Sequence, residues 1–191
     1  MSTYKILTGV GLTASSFALY SNVGASVFGV MPLILSPQSK KQAKLDTEQS
    51  VYLWDFFFSR AAGPLVGAFA ISASSYLAAS FYVPSFVLLD KNSPITNVKQ
   101  LKWILRAAAG LSIAPLPFTI AFIFPSIKSL QTYVKNKRGE ATIEPKGSDS
   151  ATVHIDDNTA EKKIEEWNFF HLFRYGFFTT SWLLGMVAFS T

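Results

Sequence analysis

This sequence predicts an all-α fold: a bundle of four transmembrane helices with a long polar insert between helices 3 and 4. Three observations carry that expectation. Four long stretches are apolar and almost free of charge, Lys, Arg, Asp and Glu crowd between them, and Trp, Tyr and Pro gather at their edges. Of the 191 residues 49 % are hydrophobic, close to the average of soluble proteins, so the distribution and not the mean decides the class. The whole chain, 1–191, reads as a single integral membrane domain.

The first stretch runs from about Ile6 to Leu35. It exceeds the roughly 20 apolar residues needed to span hydrocarbon, whereas a secretory signal would be shorter and would end in small residues before a polar mature chain. Gly11, Ser15 and Ala18 form a small-residue stripe suited to close helix packing. Asn22 lies mid-segment, where lipid exposure is costly, so it is expected to bridge helices or reach a substrate. Ser36 to Ser50 is a polar connector carrying Lys40, Lys41 and Lys44.

The second stretch, about Trp54 to Val87, opens on Tyr52 and Trp54, which suit an interfacial aromatic belt. Asp55 and Arg60 lie near its start, and Arg60 reads as a loop-side anchor. Gly63 and Gly67 have the GxxxG spacing of a packing face, and Pro64 predicts a kink unless the helix tilts or stands above the hydrocarbon. A lysine-rich connector, Leu88 to Lys102, leads to the third stretch, about Trp103 to Ser126. Pro115 and Pro117 interrupt its hydrogen-bond ladder, and Ser112 and Thr119 are near enough to serve the freed carbonyls.

Lys128 to Glu166 is the polar insert, with 131–160 its flexible part and 136–157 expected to be flexible or partly disordered. A short helix from Thr159 feeds the fourth stretch, Trp167 to Phe189. The first and third connectors carry about twice the Lys and Arg of the opposite side, which places them in the cytosol by the positive-inside rule. The net charge of +5 therefore reads as topology control, with no nucleic acid as partner. The absence of cysteine excludes disulfides, thiolate catalysis and iron–sulfur clusters.

Trp167, His171 and Arg174 fall at i, i+4 and i+7, which puts them on one helix face; Asn168, His171 and Tyr175 share the neighbouring face. One reading is an interfacial belt with Arg174 snorkelling. Arg174 lies about two turns inside the span, which favours instead a buried partner, Asp55 or a carbonyl near Pro115. His171 is one of two histidines, the other being His154 in the insert. A neutral imidazole can take a proton from an acidic carbon at near-neutral pH. One membrane histidine, no cysteine and no paired carboxylates on the spans argue against a metal site.

Three blocks resemble the anthrone oxygenase-like membrane family, whose best understood members act in fungal polyketide pathways. They are the first span ending in Gly29, Val30, Met31 and Pro32; the run Ala114 to Thr119 followed by Phe124 to Leu130; and Trp167, Asn168, His171 and Arg174. The likeness extends over nearly the whole chain except the insert. Where the family shows Pro-Thr-Asn, this sequence has Pro125, Ser126 and Ile127.

The resemblance implies a four-helix membrane bundle and a monooxygenase that uses dioxygen without cofactor on an activated methylene of a lipophilic aromatic, polyketide-type substrate. In that picture His171 is the base, Arg174 and Asn168 stabilise the oxyanion, and Trp167, Asn22, Phe118 and Thr119 contact the substrate. The partners are membrane lipid, the aromatic substrate and dioxygen, in the endoplasmic reticulum or another endomembrane rather than the mitochondrial inner membrane. Ile127 keeps an alternative open: a non-enzymatic scaffold, assembly factor or small subunit, in a homo-oligomer or a larger membrane complex. A carrier ranks last, since broken-helix repeats with midplane charges are missing.

Overall fold

Residues 2–84, 95–139 and 155–191 are described by the structure, a computed structural model, and helix is the only regular element among them. In chain order these are α1 (Thr3–Val27), α2 (Val30–Leu35), α3 (Pro37–Ala43), α4 (Thr47–Tyr82), α5 (Val98–Ile113), α6 (Pro115–Phe118), a π-helical turn (Thr119–Ile123), α7 (Phe124–Lys137) and α8 (Asp157–Ser190). Residues 140–154, half of the expected flexible segment and including His154, lie outside the described residues; its ends, 131–137 and 157–160, are helical and not flexible loop.

Among the described residues three helical stretches are long and apolar enough to cross a membrane: Thr3–Leu35, Thr47–Tyr82 and Val98–Lys137. The chain is an integral membrane protein, but the expected four spans become three by length and composition. The difference lies in α8. Its 34 residues suffice for a span, yet its first half carries Glu161, Lys162, Lys163, Glu165 and Glu166, and its second half includes Arg174, Thr179, Thr180 and Ser181.

The chain divides into two compact units. Unit 1 comprises Met1–Val23, Ala62–Phe118 and Phe173–Thr191. Its centre is Tyr76 of α4, which is fully buried. The expected small-residue stripe of α1 is what admits this ring: a Cβ on Gly11 would lie 2.8 Å from two carbons of Tyr76. Ser15 Oγ meets Tyr76 Oη at 3.0 Å, and Ala18 packs with Leu19, Ala68, Phe69 and Phe178. On α5 the i, i+4, i+7 face of Leu101, Leu105 and Ala108 is wholly buried and joins Tyr76, Ala79 and Ala188.

A hydroxyl network ties four helices of unit 1. Ser112 Oγ of α5 lies 2.9 Å from Ser72 Oγ of α4 and 2.7 Å from Ser181 Oγ of α8. Ser72 also reaches the Gly11 carbonyl of α1 at 3.1 Å, and both Ser112 and Ser181 reach the Ala108 carbonyl at 2.9 Å. Three hydroxyl protons thus serve five contacts. In hydrocarbon such groups must be satisfied internally. Replacing Ser112 by Ala leaves Ser72 and Ser181 with carbonyl acceptors, so the expected destabilisation is only about 0.6–1.7 kcal/mol. Denaturation in detergent checks it, and a larger loss would mean that the two remaining protons do not find those carbonyls.

The expectations for α4 change. The helix continues through Pro64. Gly63 and Gly67 do not pack against another helix: a Cβ on either would meet nothing within 4 Å. Gly67 and Pro64 instead line an open apolar groove with Lys5, Ile6, Gly9 and Phe189.

Unit 2 comprises Gly24–Ala61 and Thr119–Leu172. Its chain turns sharply at Gly29, where a Cβ would lie 3.0 Å from Ala25 Cα. Ser36 caps α3, accepting from the Ser39 amide, and Lys44, with a left-handed φ of 53°, ends it. Asp46 and Gln49 cap the start of α4 reciprocally: each side-chain oxygen accepts from the other's amide, at 2.7 and 3.1 Å, the arrangement of a capping box. Lys40 of α3 pairs with Glu161 of α8 at 2.5 Å.

Where α7 meets the start of α8, Tyr133 Oη donates to Asp157 Oδ1 at 2.8 Å and Lys137 Nζ lies 3.3 Å from the same oxygen. The Tyr133 bond first, and Lys137 after it, hold the Asp157 carboxyl below the usual carboxylate range. This link is therefore complete at neutral pH and is lost only as pH falls through that depressed value.

The prolines of the third stretch act as expected on the backbone. Helix α5 stops at Ile113, one turn follows as α6, and the π turn precedes α7. Ser112, however, bonds the Ala108 carbonyl, which keeps its own helical surroundings, and not a carbonyl freed by proline.

Candidate functional site

Trp167 and His171, one turn apart on α8, are both buried, at 2 % and 5 % exposure. Their rings stack with centroids 4.6 Å apart and planes 16° from parallel. Both rings are enclosed by the protein, whereas an interfacial-belt tryptophan is exposed at its surface. Trp54 of α4 meets Trp167 edge-on, centroids 5.8 Å apart at 84°, and is itself stacked on Phe58 at 5.1 Å and 5°. Each helix thus contributes one i, i+4 aromatic pair, and the two stacks meet at right angles, a geometry that ring quadrupoles favour.

Trp54 is wholly buried, which corrects its assignment to the aromatic belt. The sequence reading missed it, with Phe58, as part of the site. The i, i+4 spacing of Trp54 and Phe58, the same as that of Trp167 and His171, was the available signal.

The polar atoms of this cluster are notable. Among the described residues, Trp54 Nε1 and Trp167 Nε1 have no hydrogen-bond acceptor. Neither has Ser126 Oγ any partner there, on a residue with no exposed surface. Ser126 precedes Ile127, which is 4 % exposed and occupies its position as a packed apolar side chain. An indole N–H buried without an acceptor costs about 1–3 kcal/mol. Asn168 is half-buried on the next face of α8, and Thr119, also half-buried, begins the π turn. Such turns recur at functional sites.

Unit 1 holds the other residues singled out from the sequence. Asn22 is 2 % exposed, but its side-chain amide donates to the Ala18 carbonyl of its own helix at 2.6 Å. The bridge between helices comes from its backbone oxygen, which accepts from Tyr175 Oη at 3.0 Å. Phe118 packs edge-on against Phe177 at 5.6 Å and lies tilted to Phe173 at 6.4 Å.

Arg174 is 7 % exposed and lies over the Phe178 ring at 5.7 Å. It does not snorkel. Among the described residues it makes no ion pair, with Asp55 or any other carboxylate, and its Nε has no acceptor. A cation so held must be offset by its ring contact and whatever else reaches it. The face predicted from i, i+4 and i+7 is thus buried along its length, but its members divide: Trp167 and His171 belong to unit 2, Arg174 to unit 1.

The anthrone oxygenase family model matches residues 54–184, a span that begins at Trp54 and takes in Trp167, His171 and Arg174 while leaving Asn22 outside. No curated protein and no solved structure matches the chain.

Proposed function

From the premise that this chain belongs to the anthrone oxygenase family, we propose that it is a cofactor-independent oxygenase of a lipophilic aromatic methylene, working in an endomembrane such as the endoplasmic reticulum. The observation that carries this reading is the burial of an imidazole, His171, in a cluster of flat aromatic rings. An anthrone methylene is acidic because its carbanion is an aromatic phenolate. His171 accepts one methylene proton. The anion passes one electron to dioxygen, and recombination of the radical pair forms a carbon–oxygen bond. The peroxide takes up the proton held by His171. Loss of the second methylene hydrogen as a proton, with cleavage of the O–O bond, gives the ring carbonyl and one water. Oxidation of the methylene to a carbonyl releases four electrons, the number that reduces dioxygen to the carbonyl oxygen and water, so no external reductant is needed.

The protein's part is to hold a base beside the methylene and to exclude bulk water from the anion. Trp167 offers a ring face, and Asn168 an amide donor for the enolate oxygen. Ile127 supports a second reading, a non-enzymatic scaffold, because a packed isoleucine offers no hydrogen bond where the family has asparagine.

Oxygen consumption by purified protein with an anthrone separates the two. The expected result is one dioxygen consumed per quinone formed, well above spontaneous oxidation, and no product under anaerobic conditions. Turnover equal to the protein-free rate would leave the scaffold.

A further inference from the structure

The four tryptophans divide by how their N–H groups are satisfied. Trp103 is 59 % exposed, so its indole needs no internal acceptor. Trp182 is half-buried and donates to Ser16 Oγ at 2.9 Å. Trp54 and Trp167, at 0 % and 2 % exposure, are buried and have no acceptor among the described residues. Indole is a donor only, and buried donors in native proteins are paired as a rule. The same chain satisfies even the half-buried indole of Trp182, so the two exceptions are specific to one cluster. Both sit in the part of the chain where flat rings meet: Phe58 stacked on Trp54, Trp54 edge-on to Trp167, Trp167 stacked on His171.

We infer that Trp54, together with Trp167, donates a hydrogen bond to an oxygen of a bound aromatic ligand, Trp54 being a specificity-determining residue that the sequence did not single out. The inference rests on the proposed oxygenase reading for the ligand class: a planar, lipophilic, oxygenated ring system. The chemistry of the site matches it. Two neutral donors suit a carbonyl or phenolate oxygen, and the rings beside them suit a flat aromatic partner. A purely hydrocarbon ligand would leave both N–H groups unanswered. The donors therefore discriminate for the oxygen, since a site built to pair a polar group rejects the analogue lacking it, and the converse loss follows when the donor is removed.

The test compares two probes on the full chain in detergent: 1,8-dihydroxyanthraquinone, and anthracene, which has the same three-ring outline without oxygen. Wild-type protein is expected to bind the first more tightly. Trp54→Phe keeps an aromatic ring but loses the N–H; it should weaken the quinone at least tenfold and leave anthracene within twofold. Its thermal midpoint without probe should fall less than for a paired buried indole, because the cavity left by the smaller ring is partly offset by removal of a donor lacking an acceptor.

Equal weakening of both probes would reduce Trp54 to a packing residue and overturn the inference. So would an unchanged quinone affinity, or no quinone binding by the wild type. If Trp54→Phe does not fold, replacing Trp54 by 3-benzothienylalanine, the sulfur isostere of indole, asks the same question with the shape kept. Oxygen consumption is measured separately. Quinone binding that depends on Trp54 without anthrone turnover would sink the oxygenase reading and keep this inference. Turnover with an unaltered Trp54→Phe quinone affinity would do the reverse.

Discussion

Gly185→Ala should strongly destabilise the protein. A Cβ at this position of α8 would collide with Tyr76 Oη and stand 2.7 Å from its Cζ. The ring is already crowded: a Cβ on Gly11 of α1 would lie 2.8 Å from its Cδ1 and Cε1. Its hydroxyl is fixed to Ser15 at 3.0 Å, and the residue has no exposed surface. Overpacking a filled core costs about 1–3 kcal/mol and occasionally more. Here the strain falls on a buried ring already crowded by Gly11 and tied to Ser15, so the upper end of that range or beyond is expected.

Gly176→Ala on the same helix is the control. Nothing lies within 4 Å of its Cβ, and alanine in an exposed helix is worth up to about 1 kcal/mol over glycine. Size-exclusion profiles and thermal midpoints in detergent compare the pair. If Gly185→Ala is as stable as Gly176→Ala, Tyr76 does not occupy the notch assigned to it. Tyr76→Leu should partly rescue Gly185→Ala by withdrawing the colliding atoms.

Half of that notch was legible in the sequence. Gly11, Ser15 and Ala18 at helical spacing announce a surface for close approach, and the structure uses all three. What fills it was not legible, because Tyr76 is one of seven tyrosines and the pairing is long-range. The same holds for Ser72 and Ser181: a single hydroxyl in an apolar helix is ordinary until two others converge on it. Gly63 and Gly67 had the stronger motif and pack against nothing, since spacing shows that a helix can be approached and not that another helix does so. The helical periods of α8 placed Trp167, His171 and Arg174 on one face correctly. They did not show that Asn22 spends its amide on its own helix, or that Trp54 faces inward. An aromatic residue near the start of an apolar stretch fits an interface and a core equally well, and only tertiary packing separates them.

His171→Gln should abolish most of the oxygen consumption while leaving the protein folded. Glutamine keeps a polar, flexible side chain of similar reach but has no basic nitrogen. If the imidazole removes the methylene proton, its loss should lower turnover of an anthrone by about 10²–10⁴-fold, the usual contribution of a positioned general base. The stability change should be far smaller, the stack on Trp167 being worth about 0.5–1.5 kcal/mol. Spontaneous anthrone oxidation must be subtracted, since the reaction proceeds slowly wherever base and dioxygen meet. Two further readings separate a base from a wall of the site. Affinity for 1,8-dihydroxyanthraquinone should fall less than tenfold, because the product has no methylene proton to give. Deuterating the methylene should slow the variant more than the wild type, because proton removal becomes the step that limits the rate. Turnover within threefold of wild type would exclude His171 as the base. A variant that loses quinone affinity and turnover in equal measure would make the imidazole a binding surface, with the proton going elsewhere.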